Sequence, residues 1–135
     1  LGHSAFHPNR ESERILRRLL PAGRLDQLKR REPLRYRSIV SRLVRHDLRE
    51  ISRHTDYVIC YWNRAAARGA GTKGEVTLAK FLNKPVYLVA RAAPENIPGW
   101  VLGCVTTIFP SFAALKNFLK KLHHPLKKPI QRRQP

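Results

Sequence analysis

Glu75 is one of nine acidic residues set against 27 lysines and arginines. It follows directly on the run G-A-G-T-K-G at positions 69–74. A glutamate there has two uses. Thr72-Lys73-Gly74-Glu75 matches a capping box, in which the threonine accepts a backbone N–H and the glutamate reaches back to the cap. A glycine-rich helix start also leaves bare backbone N–H groups facing a ligand, with a carboxylate one turn in. The two uses are not exclusive. The same glycines spell the dinucleotide fingerprint GxGxxG. However, N-R-A-A-A-R separates them from the preceding apolar run, and the next apolar run ends at Arg91 rather than at a ribose-binding acid. A dinucleotide site is therefore not expected.

Asp47 is the second unusual carboxylate. In R-S-I-V-S-R-L-V-R-H-D-L-R-E-I-S-R-H (37–54), Val40, Leu43, Val44, Leu48 and Ile51 fall on one stripe at helical spacing. Asp47 lies in the middle of that stripe. A carboxylate on an apolar face is costly unless it is paired, hydrogen-bonded or turned toward a site.

The elements that must position these two residues follow from periodicity and breakers. Residues 11–20 predict a short helix with Asn9 as its cap, and 24–31 a further turn or two. D-Y-V-I-C-Y-W (56–62) predicts a buried strand, and residues 63–72 a loop. K-G-E-V-T-L-A-K-F-L predicts a helix ended by Asn83. P-V-Y-L-V-A (85–90) and V-T-T-I-F (105–109) predict two more strands with a loop between them. Pro110 or Ser111 opens a last helix that turns Phe112, Leu115, Phe118, Leu119 and Leu122 inward. This alternation implies an α/β fold, a mainly parallel sheet with helices on both faces. Ligands bind beyond the carboxyl ends of such strands, where the glycine run lies. Three strands make a thin sheet, and the chain contains no Met. The expectation is that a first strand lies upstream of residue 1.

At 135 residues with 42% hydrophobic content, the chain is expected to hold one domain over 1–122, followed by a basic, proline-rich tail at 123–135. Cys60 and Cys104 sit in apolar runs and read as packed free thiols in a reducing, intracellular compartment. No apolar run is long enough to span a membrane. A formal charge of +18 implies a polyanionic neighbour, RNA or DNA above all. Arg17, Arg18, Arg30 and Arg31, together with Lys127, Lys128, Arg132 and Arg133 in the tail, are the candidate contacts. They would meet phosphates and carry little sequence information. His123-His124 lacks ligand partners at metal-binding spacing, so no metal is expected.

Three segments taken together carry a family resemblance. They are H-D-L-R-E-I-S-R-H-T-D-Y-V-I-C-Y-W, G-T-K-G-E-V-T-L-A-K-F-L-N-K-P-V-Y-L-V and I-P-G-W-V-L-G-C-V-T-T-I-F-P-S-F-A-A-L-K-N-F-L. Over about residues 38–122 the chain resembles the nucleoside 2-deoxyribosyltransferase superfamily, which includes nucleotide N-glycosidases. The resemblance implies a flavodoxin-like fold, a nucleoside or nucleotide ligand, and no cofactor. It implies Glu75 as the nucleophile toward the anomeric carbon and Asp47 as the carboxylate that handles the proton of the leaving base. Retaining glycosyl chemistry uses such a pair. Gly69, Gly71 and Thr72 of the glycine run are the candidate substrate contacts, although Gly69 stands where the family carries a polar side chain; Trp62 and Trp100 flank the crevice and either pack in the core or stack on a base. A second subunit completes many sites of this family, so a homo-oligomer is also implied. The alternatives are a non-enzymatic nucleic-acid-binding protein on the same scaffold, as in a ribosome-like particle, and a nucleotide sensor without turnover.

Overall fold

The computed structural model describes residues 2–20 and 25–123. The tail and its four basic residues lie, apart from position 123, outside the described residues. Seven helices and three strands follow one another among those described: α1 Pro8–Leu19, α2 Leu25–Arg31, α3 Pro33–His54, β1 Val58–Trp62, α4 Arg64–Arg68, α5 Gly71–Phe81, β2 Val86–Ala90, α6 Gly99–Cys104, β3 Thr107–Phe109 and α7 Phe112–His123. The strands form one parallel sheet in the order β1-β2-β3. Val58 pairs with Val86, and Tyr87 with Thr107. This is the expected α/β architecture, consistent with a flavodoxin-like fold.

The central strand explains the two layers. All five residues of β2 are buried, and side chains along a strand alternate between faces. Val86, Leu88 and Ala90 point into one cluster with Ile51 of α3, Cys60 and Trp62 of β1, Val76 and Ala79 of α5, and Val101 and Cys104 of α6. Tyr87 and Val89 point the other way, onto Phe109, Leu115 and Leu119 under α7. One face thus carries α3, α5 and α6, and the other carries α7.

Several elements differ from expectation, each for a local reason. The first helix starts at Pro8 with His7 as its cap position, not Asn9, because proline fits the first helical turn. Proline at position 33 likewise starts α3 earlier than the apolar stripe suggests. Residues 64–68 form a helix instead of a loop, because Asn63 accepts a hydrogen bond from Ala66 N–H at 2.9 Å and alanine favours helix. A further unexpected helix, α6, fills the segment before β3. Ser111 does open α7, accepting from Ala114 N–H at 3.2 Å. Leu115 and Leu119 of α7 are buried, but Phe112 and Leu122 at its two ends are about half exposed. Phe81 and Val44 are likewise exposed.

The end of α5 sets the height of its neighbour. Asn83 takes a left-handed φ of 56°. Its N–H bonds Lys80 O at 3.1 Å, and Lys84 N–H bonds Ala79 O at 2.9 Å, which is a Schellman termination. This turn sends the Lys84 ammonium to the end of α3. There it donates to Ile51 O at 2.5 Å, Thr55 O at 2.6 Å and Ser52 O at 2.9 Å. The carboxyl ends of α3 and α5 are therefore tied side by side, and the two helices run in the same direction.

Candidate functional site

Asp47 and Glu75 are brought together by that tie. Glu75 lies seven residues before Leu82, the C-cap of α5, and Asp47 eight before Thr55, the C-cap of α3. At 1.5 Å per residue both stand about 10–12 Å above the Lys84 clamp. Each also sits one turn above a core residue, Ile51 below Asp47 and Ala79 below Glu75. The helices pack against each other, so the two carboxylates share one level of one seam.

Their electrostatics agree with this placement. Burial raises the pKa of Glu75 above the ordinary glutamate value, and the nearby charge of Asp47 raises it further. Burial also raises Asp47, while His46 beside it pulls the other way. The Cys60 thiol of β1, on the side of the sheet that faces α5, feels Glu75. Burial first, then Glu75, pushes it up to about 11. Glu75 of α5 thus lies within electrostatic reach of both Asp47 of α3 and Cys60 of β1. Neither carboxylate has a hydrogen-bond or ion-pair partner among the described residues, and Asp47 Oδ1 is fully buried without one. His46 Nε2 is in the same condition.

The approach to Glu75 is built by α4 and the start of α5. Gly69 N–H bonds Ala65 O at 2.8 Å and ends α4. Lys73 Nζ donates to Ala67 O at 2.9 Å, holding the two helices together. The cap position of α5 is Ala70, already in helical conformation and without a side-chain cap bond. The expected capping box is therefore not formed. The helix begins before Thr72, which leaves Thr72 inside the first turn and Glu75 too far along to reach back. A Cβ at Gly71 or Gly74 would meet nothing within 4 Å, whereas one at Gly69 would approach Ala65 O at 3.2 Å. The first turn of α5 therefore presents uncovered backbone on the chain side of Glu75.

The other expected contacts separate. Trp62 is 6% exposed and packed in the core cluster, so packing alone accounts for it. Trp100 is 70% exposed, and its Nε1–H donates to Thr77 Oγ1 at 2.8 Å. Thr77 is two residues from Glu75, about 200° around α5, so this indole lies across the helix from the carboxylates. Thr72 and Gly69 are half-buried and Gly71 is exposed. Arg17, Arg18, Arg30 and Arg31 are exposed in the last turns of α1 and α2. An open hollow of about 350 Å³ runs along α1, lined by Arg10, Glu13, Arg14, Arg17 and Arg18 and by neither carboxylate. Among the described residues, no three of His, Cys, Asp and Glu are grouped to hold a metal ion. No helix there is long and apolar enough to cross a membrane.

Cys60 is the member of the cluster that the sequence marked only as a packed thiol. An apolar strand residue gives no sign of a carboxylate near it, and only the crossing of α5 over β1 brings the two together. No family model and no curated protein sequence matches the chain.

Proposed function

We propose that the chain binds a nucleoside or nucleotide at the Asp47–Glu75 seam and cleaves or exchanges its N-glycosidic bond. One observation carries the reading. In a chain of formal charge +18, two adjacent, partly buried carboxylates have no ion pair or hydrogen bond among the described residues, and only His46 beside Asp47 draws either of them down. Their proton affinity is raised where an ordinary ion pair would lower it. Pairs of carboxyls with shifted proton affinities suit acid–base and nucleophilic work.

Glu75 attacks the anomeric carbon through one carboxylate oxygen. The carbon–nitrogen bond breaks, its electron pair leaves with the base, and a glycosyl ester forms on Glu75. The departing base takes a proton from Asp47. Water then opens the ester in hydrolysis, or a second base does so in exchange. In the free protein the Asp47 charge falls on Glu75 and favours a proton there. Attack requires that proton to move, and Asp47 Oδ1, buried and unpartnered, is the acceptor nearest in kind. No metal or organic cofactor enters the scheme.

The test is base release from a panel of nucleosides and nucleoside 5′-monophosphates, followed by chromatography, with wild type and Glu75→Gln compared. Release that Glu75→Gln abolishes supports the reading. Release that survives in Glu75→Gln removes Glu75 as nucleophile. Saturable binding without release makes the seam a sensor site, and absence of binding defeats the proposal.

A further inference from the structure

The outer side of α3 carries a second surface that the site does not use. At 100° per residue, Arg35, Arg42, Arg45, Arg49 and Arg53 fall within about 80° of one another and extend over about 27 Å of the helix. This stripe lies roughly opposite the face that buries Ile51 and Asp47. All five arginines are exposed. Arg35 pairs with Glu32 at 3.3 Å. Arg42, Arg45, Arg49 and Arg53 have no ion-pair partner among the described residues, although each could have had one at helical spacing. The nearest acid, Glu50, lies off the stripe and is engaged with His54 at 3.0 Å.

We propose that this stripe is a docking surface for the phosphate backbone of a double-stranded nucleic acid. Charge complementarity identifies the partner. Every cation on the stripe is arginine and none is lysine, and the guanidinium fork matches phosphate oxygens in pairs. Ser38 lies between them, Ser41, Ser52, Leu34 and His46 lie at the edges, and no Phe, Tyr or Trp is on the stripe. Single strands are held largely by bases stacking on aromatic rings. A stripe without rings grips backbone instead. An anionic membrane would need the apolar face of the helix, and that face is spent on α5 and the sheet. The inference does not rest on the glycosidic reading, since Glu75 lies on a different helix and a different side.

The experiment compares two full-length variants that lose the same charge. One carries Arg42→Gln, Arg45→Gln, Arg49→Gln and Arg53→Gln. The other carries Lys80→Gln, Lys116→Gln, Lys120→Gln and Lys121→Gln, at exposed positions of α5 and α7. Binding to labelled duplex DNA and duplex RNA is followed by anisotropy across a salt series, after circular dichroism confirms the fold. Four lost phosphate contacts lower the slope of log K against log salt by about 3.6 for a duplex. The expected result is a fall near that size in the arginine variant and a fall below about one in the lysine variant. Equal falls in both would show a diffuse charge effect and overturn the proposal. Tighter binding to a single strand, binding to phosphatidylserine vesicles in place of duplex, or no binding by the wild type would overturn it as well.

Discussion

Replacing Lys84 with methionine tests the device that sets the two carboxylates level. The stem of the side chain is retained, and only the three donors are lost. Two of the acceptors, Ile51 O and Thr55 O, are partly buried, whereas Ser52 O is open to water. Water replaces the lysine on the open carbonyl at little cost. The other two lose charge-assisted bonds, each worth about 1.5–3 kcal/mol. The cation also favours the negative end of α3 by about 0.3–1 kcal/mol. Against this, the lysine no longer has to be ordered, which returns up to about 2 kcal/mol of side-chain entropy. With that entropy fully returned, the net expectation for Lys84→Met is a loss of about 1–5 kcal/mol. At a urea m-value of about 2 kcal/mol per molar, the midpoint should drop by roughly 0.5–2.5 M at unchanged m. Equilibrium urea unfolding, followed by the fluorescence of Trp62 and Trp100, measures it. A loss under about 0.5 kcal/mol would show that the three bonds do not hold α3 to α5, and the levelling argument would fall with them.

The raised proton affinities of Asp47 and Glu75 give a pH dependence with a definite sign. A carboxyl whose pKa is higher folded than unfolded holds its proton better in the native state, so stability falls as pH rises from the ordinary carboxyl range through the raised value. Glu75→Gln and Asp47→Asn should therefore be more stable than wild type at neutral pH, with the gain shrinking toward about pH 4; thermal melts across pH would expose a gain of opposite sign. Burial and the Glu75 charge keep the Cys60 thiol protonated, and Cys104 is also buried. A disulfide reagent near pH 8 should label both only after denaturation, so fast labelling of the native protein would contradict the packing. Asn63→Ala removes the cap of α4 and should cost about 1 kcal/mol in urea unfolding; an unchanged midpoint would mean that the cap bond contributes nothing.

How much of this was legible in the sequence depends on whether the signal is local. The strands β1 and β2 were legible because short β-branched and aromatic runs between breakers have few alternatives. Asn83 was legible as a stop because asparagine tolerates the left-handed turn that it adopts. Asp47 stood out because it interrupts an apolar stripe. The short helices α4 and α6 were missed, since five or six residues give too little periodicity to separate helix from loop. The capping box looked right letter by letter, but α5 begins at Gly71, ahead of it, with Ala70 at the cap. Trp62 and Trp100 look alike in the sequence, but the pleat of β1 turns Trp62 into the core whereas Trp100 stands exposed on α6. The meeting of Cys60 with Glu75 joins residues on two elements through the fold and had no local signal.

The two sides of α3 make a final argument against a purely structural account of the seam. This one helix places four exposed arginines on its outer side without a partner and leaves a half-buried aspartate on its inner side without one. A stability argument would have crossed these charges, since a buried carboxylate left unpaired costs more than a solvated cation gains. Asp47→Asn would keep the shape and discard most of the cost. The same holds for Glu75, which sits among core residues where an amide or an apolar side chain would pack more cheaply. Departures of this kind from local consistency are expected where a protein binds or reacts. Here the departures separate by sign, the acids in the seam and the bases outside. That separation suits a small electrophilic ligand held within and a phosphate polymer held without.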